Sequence, residues 1–306
     1  MSRKPTNLTA RLAKFARGQG DGTRQVYTLG RRALRLRSYL ARRRVAQRTR
    51  ADGHVAIDPA EGYRVFPAGT FAEADEGARA SALLLAKSEA ALARRRQSPG
   101  NKQFLVNLLE PASVSVDHPL LRLALRPDLL DAVIAYMGTV PLLRSIQVFY
   151  SGAVEREPVS SQLYHCDADD VRQLKIFLLC SEVQRENGPL TILDATSSDR
   201  VRRAKRYTYN DRLSDDEVMG VLGEPKPAEL VGGPGTMCLV DTSRCFHYGS
   251  RVERDAEPRL VAMVQYLSPF AFVVPDAAKK GALAHLAFDG HTPVQRAVLT
   301  GEDRDL

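Results

Sequence analysis

Short β-rich runs crowd the second half of this chain, and they constrain its fold more than any other feature. After Pro141 the stretches LLRSIQVFYSG, SSQLYHCD, QLKIFLLCSEV, GPLTIL, GTMCLVD and RLVAMVQYLSPF follow one another, separated by turn residues and without regular intervening helices. Six strand candidates of this kind point to an antiparallel sandwich or barrel. One helix-like insertion, roughly residues 198–222, interrupts them.

The first half has a different texture. Residues 71–96 are rich in Ala and Leu, with acids early and arginines late, as the helix macrodipole prefers. Residues 117–137 read as one or two helices, interrupted at Pro127 and ended by Gly138. From Arg31 to Arg50 there are good helix formers without Pro or Gly, and Leu36, Tyr39 and Leu40 make only a narrow apolar stripe. The tail from Ala277 to Leu306 holds a short helix and then an acidic end. No 20–50-residue repeat is visible. The expected class is therefore mainly β with a helical N-terminal part.

Charge must be divided along the chain before it is interpreted. The net charge is +8, but residues 1–50 hold 15 Lys/Arg against the single acid Asp21, which leaves 29 Lys/Arg and 35 Asp/Glu for the rest. The body is mildly acidic, and the basicity belongs to the head. That head is expected either to pack as a solvated helix or arm against its own acidic body, or to contact a weak anionic partner, nucleic acid or a membrane surface. It lacks the interleaved aromatics of a nucleic-acid stacking surface. An Arg-rich, acid-poor organellar transit peptide is a third reading. No stretch of eighteen apolar residues exists and no secretory signal is visible, so neither a transmembrane segment nor export is expected. Cys166, Cys180, Cys238 and Cys245 form no CxxC pair and fit reduced thiols in a cytoplasmic protein.

Among six histidines, two stand where chemistry is expected. His165-Cys166-Asp167 follows the run QLY, and His247 follows GTMCLVD in the run SRCFHYGS. In an extended segment residues i and i+2 share a side, so His165 and Asp167 can reach one metal while Cys166 points away. A histidine from a neighbouring strand would complete the two-histidine, one-carboxylate facial triad of non-haem Fe(II) oxygenases. The competing reading makes both histidines hydrogen-bonded structural residues. Arg259 lies twelve residues after His247 at the start of RLVAMVQY, where an inward guanidinium would clamp a carboxylate. Its alternative is a surface ion pair with Glu253, Asp255 or Glu257.

These stretches, QLYHCDADDVRQLKIFLLCSEVQRENGPLTIL and GPGTMCLVDTSRCFHYGSRVERDAEPRLVAMVQYLSP, resemble the phytanoyl-CoA dioxygenase family of Fe(II)- and 2-oxoglutarate-dependent oxygenases. The shared features are the HxD, the ENGPL turn, the small-residue entry to the penultimate strand, the HxGS-like element and the arginine beyond it. The lead-in HPLLRLALRPDLLDAVIAYMGTVPLL also resembles that family, and the likeness covers roughly residues 117–270. It implies a double-stranded β-helix, a cupin-like jelly roll, as the core. The chain then divides into a basic segment 1–55 and a single oxygenase domain 56–306, with a helical lead-in 56–140, a jelly-roll core 141–275 and a tail 276–306.

Residue by residue, the resemblance implies that His165, Asp167 and His247 bind Fe(II), and that Arg259, helped by Ser250, binds the distal carboxylate of 2-oxoglutarate. Lys175 shares a strand face with Phe177 by parity, and is expected either to touch the cosubstrate or an acidic substrate, or to snorkel outward. The implied activity is O2-dependent hydroxylation of a small molecule with release of succinate and CO2. The alternative is a non-catalytic jelly-roll binding module tethered to an anionic partner by its basic head. Two departures stand out: Tyr164 precedes the HxD where the family commonly has Trp, and TILDATSSDR replaces the usual small-residue motif after GPL. The second bears on the barrel mouth, where loops choose substrates, rather than on iron.

Overall fold

Three arginines among the first fifty residues point inward. The computed structural model describes residues 8–95, 104–153, 157–273, 283–304 and 306. Three helices open it: α1 (Leu8–Arg17), α2 (Asp21–Leu34) and α3 (Leu36–Arg48). Arg24, Arg31 and Arg42 are buried under them. A guanidinium can be buried only where acceptors meet its donors, and main-chain carbonyls supply these here. Arg24 donates to Ala168 O (3.1 Å) and Asp170 O (2.6 Å), and its plane lies 3.5 Å from the Tyr209 ring centroid. Arg31 donates to Ala271 O at 2.8 Å. Arg42 donates to Val140 O (2.9 Å), Gly301 O (2.8 Å) and Glu302 O (3.0 Å). The head is thus docked on the body by side-chain donors, in line with the packed-arm expectation.

The next helices form the back of the molecule. They are α4 (Ala72–Arg95), α5 (Pro119–Ala124) and α6 (Pro127–Met137). Both α5 and α6 begin with Pro, whose missing N–H costs nothing in a first turn. Gly138 ends α6 at φ 66° in the left-handed region, as its position in the sequence predicts.

Nine strands lie among the described residues, including four short ones that the sequence reading did not single out, β1, β2, β6 and β8: β1 (Tyr63–Phe66), β2 (Val106–Asn107), β3 (Leu142–Ser151), β4 (Leu174–Leu179), β5 (Leu190–Ile192), β6 (Ala228–Leu230), β7 (Met237–Val240), β8 (His247–Tyr248) and β9 (Arg259–Leu267). They make two antiparallel sheets, one in the order β1-β7-β4-β9-β3-β2 and one in the order β6-β5-β8. The larger sheet is buried on both faces. Leu260, Ala262, Val264 and Tyr266 of β9 join Ile146 and Val148 of β3 and Ile176 of β4 in the core beneath α4, α5 and α6. The alternate residues Val261 and Met263 line a cavity between the sheets.

Two expectations need correction. SSQLYHCD is not a strand: Ser160–Gln162 is a 3-10 turn, and pairing is limited to single bridges, Tyr164 with Leu213 and His165 with His247. Helix also outweighs strand among the described residues, so "mainly β" is too strong. The 198–222 insertion supplies two helices, α7 (Ala195–Lys205) and α8 (Asp215–Leu222), and the tail supplies α9 (Pro293–Thr300). Each begins on a polar cap: Asp194, Ser214 and Thr292 accept from the first-turn N–H groups.

Candidate metal and carboxylate site

Two loops tied together by backbone hydrogen bonds bring the distant histidines side by side. His165 N donates to His247 O (3.1 Å), His247 N donates to His165 O (3.0 Å), and Asp167 N donates to Thr242 O (2.7 Å). The loop leading to His247 is itself shaped by Asp241. Its buried Oδ1 accepts from Ser243 N (3.1 Å), Ser243 Oγ (2.6 Å) and Arg244 N (3.1 Å). Burial pushes the Asp241 carboxyl up.

The imidazoles are oriented alike. His165 Nδ1 lies 2.9 Å from Leu163 O, and His247 Nδ1 lies 3.0 Å from Cys245 O. A carbonyl oxygen only accepts, so each Nδ1 carries the proton and each Nε2 keeps its lone pair for the cavity. Burial pushes His165 down to about 3, and it lowers His247 as well. Both rings are therefore neutral at pH 7, the form that binds a metal.

Asp167 completes the cluster, with Oδ1 3.9 Å from His165 Nε2 and Oδ2 3.8 Å from His247 Nε2. One donor atom from each of the three residues lies within 4.8 Å of the others. Ligands bound at about 2.1 Å on adjacent octahedral corners stand roughly 3 Å apart. The cluster is thus a slightly open clasp of the right donor chemistry. Burial raises the Asp167 carboxyl, but the Lys175 ammonium and the two imidazoles outweigh it and hold it well below the usual range. Lys175 Nζ forms an ion pair with Asp167 Oδ2 at 2.7 Å. A buried carboxylate beside two imidazoles whose Nε2 lone pairs are free fits a cation.

Arg259 opens on the same cavity, which has a volume of about 330 Å³. It is buried rather than paired at the surface with Glu253, Asp255 or Glu257, and burial pulls its guanidinium down to about 10. Among the described residues its hydrogen bond is Nη2 to Ser250 Oγ, 2.8 Å. Ser250 adopts φ 63°, a left-handed conformation costly for a side chain with Cβ by about 1 kcal/mol. It is held there by Gln162 Nε2 donating to its carbonyl (2.7 Å) and by Ser151 Oγ at 3.1 Å from its hydroxyl.

The ENGPL turn supports this corner from behind. Ser250 N donates to Gly188 O (3.0 Å), and Asn187 Nδ2 donates to Glu257 O (2.8 Å). Gly188 has φ 65°, and a Cβ there would lie 2.5 Å from the Arg251 backbone, so only glycine fits.

Lys175 and Phe177 both line the cavity, as strand parity expects, although Lys175 meets the Asp167 carboxylate rather than solvent. Around the HxD, Gln162 supports Ser250, Tyr164 packs edge-on against Tyr248, and Tyr150 belongs to the core behind the sheet. Sequence reasoning missed Arg17 and Arg212, which also line the cavity, and Asp169, which pairs with Arg17. Arg17 comes from α1 in the basic head, and no local pattern connects it to a site some 150 residues later. The four cysteines are free and buried, as packed thiols.

No protein-family model matches the chain, and no curated protein matches it. Similar solved structures include EctD from S. alaskensis with bound Fe, at 19% identity and TM-score 0.49, covering 72% of this chain and 80% of that one. EctD with 2-oxoglutarate and 5-hydroxyectoine is 18% identical with TM-score 0.49, over 81% of this chain and 89% of that one. The epimerase SnoN from nogalamycin biosynthesis, in complex with Fe3+, alpha ketoglutarate and nogalamycin RO, is 19% identical with TM-score 0.45, over 76% and 88% of the two chains.

Proposed function

We propose that this chain is an Fe(II)- and 2-oxoglutarate-dependent dioxygenase that hydroxylates a small-molecule substrate, with O2 as oxidant and succinate and CO2 as co-products. One observation carries the reading: a single cavity holds both a two-histidine, one-carboxylate cluster with its imidazole lone pairs free and a buried arginine without a carboxylate partner among the described residues. A binding module needs neither, and burying an uncompensated guanidinium costs several kcal/mol unless a ligand meets it.

The strand order supports a double-stranded β-helix. Counting the Tyr164–His165 bridge as a short strand beside β8, successive runs from β3 to β9 alternate between the two sheets except at β5 and β6, which pair antiparallel across the α7–α8 insertion. That is the path of two Greek keys wound together, and it places both histidines on the smaller sheet, facing Arg259 on the larger.

Iron with 2-oxoglutarate would supply the oxidation chemistry when bound. His165, Asp167 and His247 would hold the metal on one face, leaving other positions for cosubstrate and O2. Lys175 balances the Asp167 charge, a role that a bound cation would take over. Arg259 and Ser250 would fix the distal carboxylate, so that the keto acid meets the metal in one orientation. Phe149, Phe177, Val261 and Met263 give the cavity an apolar wall against which a substrate C–H is held and from which water is excluded.

The test is to add Fe(II) and then 2-oxoglutarate to anoxic protein and record the visible charge-transfer band of the chelate. The expected result is a band that is lost in His247→Ala and weakened in Arg259→Ala. Correctly folded protein without a band overturns the proposal in favour of the binding module.

A further inference from the structure

The second helix of the basic head is inverted, and its outer face has no partner. At about 3.6 residues per turn, Arg24, Thr28 and Arg31 share one side of α2, and these are its buried residues. The opposite side carries Gly22, Val26, Leu29, Gly30, Ala33 and Leu34, all exposed, with Val26 at 72% and Leu29 at 60%. Arginines thus dock the helix together with Tyr27, which stacks on Phe272, while its aliphatic side chains Val26, Leu29 and Leu34 face away from the body.

The neighbouring helices also expose apolar side chains, although α1 docks through Ala13 and Ala16 and α3 buries Ala46 beside Arg42. Leu12 and Phe15 are exposed on α1, and Leu36 and Leu40 on α3. Together the three helices carry seven of the thirteen exposed large hydrophobics among the described residues, in a segment of about forty residues. Single exposed leucines need no explanation, whereas a concentration of this kind marks an interaction surface.

Charge selects the partner. Arg11, Lys14, Arg37, Arg44 and Arg48 are exposed on the same helices and pair with no carboxylate among the described residues. Arg203 and Arg206 share a cleft with Gly20–Thr23 at the start of α2. Residues 1–50 carry 15 cations against Asp21 alone, so bringing two copies together through this face would oppose two strongly positive surfaces. An apolar helix face flanked by Lys and Arg is the pattern of helices that lie in the headgroup layer of an anionic bilayer. No helix among the described residues is long and apolar enough to cross one.

We infer that the α1–α3 head is a docking face for an anionic lipid surface, with Val26 and Leu29 entering the interface and the surrounding arginines and lysine meeting lipid headgroups. The face is rigidly placed, because Arg24, Arg31 and Arg42 hold these helices to the body. It also lies beside the cavity mouth, since Arg17 of α1 lines that cavity. The inference is independent of the proposed chemistry.

Full-length protein would be sedimented with phosphatidylcholine vesicles with and without phosphatidylserine. Wild type is expected to pellet with the anionic vesicles and stay in the supernatant with the neutral ones. The Val26→Asp/Leu29→Asp variant, altered only at exposed positions, should bind anionic vesicles about tenfold less tightly. A second variant, Arg11→Gln/Lys14→Gln/Arg37→Gln, should show a similar loss, and added salt should mimic it. Melting temperature and Fe(II) binding serve as folding controls for both. Equal sedimentation with the two vesicle types overturns the inference. So does unchanged vesicle binding in the aspartate variant, or a dimer in analytical ultracentrifugation that the same variant splits.

Discussion

The molecule buries arginines in two regions, and the contrast between them separates glue from function. In the head, Arg24 and Arg42 put their terminal nitrogens onto main-chain carbonyls of distant segments. Between the sheets, Arg259 meets one serine hydroxyl and the open cavity. Burial lowers the proton affinity of all three, and all three remain charged at neutral pH. A guanidinium whose donors are spent on carbonyls stabilises the fold. One whose donors are left over, in a pocket that also holds two imidazoles and a carboxylate, waits for an anion.

The largest expected effect would break the comparison at Arg259. Arg259→Met should lower 2-oxoglutarate affinity about a hundredfold or more in calorimetric titration of the metal-loaded protein. The same substitution should leave the ligand-free protein as stable as wild type, or more stable by about 1 kcal/mol, because it removes an uncompensated buried charge. A destabilised, ligand-competent variant would place Arg259 with the structural arginines instead. Arg42→Met is the mirror experiment: it strands carbonyls at Val140, Gly301 and Glu302, and should cost about 3 kcal/mol in urea unfolding while leaving 2-oxoglutarate affinity unchanged.

Two smaller effects would sharpen the contrast. A Cβ on Gly249 would come 2.9 Å from Arg259 Nη2, so Gly249→Ala should displace the guanidinium by a few tenths of an ångström and weaken 2-oxoglutarate about tenfold. Metal affinity should not move, and a parallel loss of iron would show a general collapse of the corner. Ser250→Gly trades a lost hydrogen bond for relief of its φ of 63°. Affinity should fall about threefold with stability unchanged within about 0.5 kcal/mol, measured by titration and melting of the same sample.

Strand alternation made one wall of the cavity readable in one dimension: Lys175 and Phe177 share a face of β4 and both line it. His165 and Asp167 converge although their segment is not a strand, and Arg259 was readable as inward or as surface-paired until burial decided it. The helices at 72–95, 119–124 and 127–137 follow from composition, Pro and Gly. The reading failed where short range and long range compete. SSQLYHCD has strand-like residues, but its neighbours hold it by single bridges and a 3-10 turn, so the local pattern was outvoted.

What the amino-acid order determines alone is the chemistry carried by each segment: an HxD, a later His, an arginine twelve residues on, a head with 15 cations. What only the tertiary structure decides is which of those charges are spent. Lys175 turns onto Asp167, Arg24 and Arg42 are consumed by carbonyls more than a hundred residues or nearly so away, and α2 faces its leucines outward. None of this is visible locally, because a buried charge is settled by whichever acceptors the folded chain brings within about 3 Å, and sequence distance does not measure that separation.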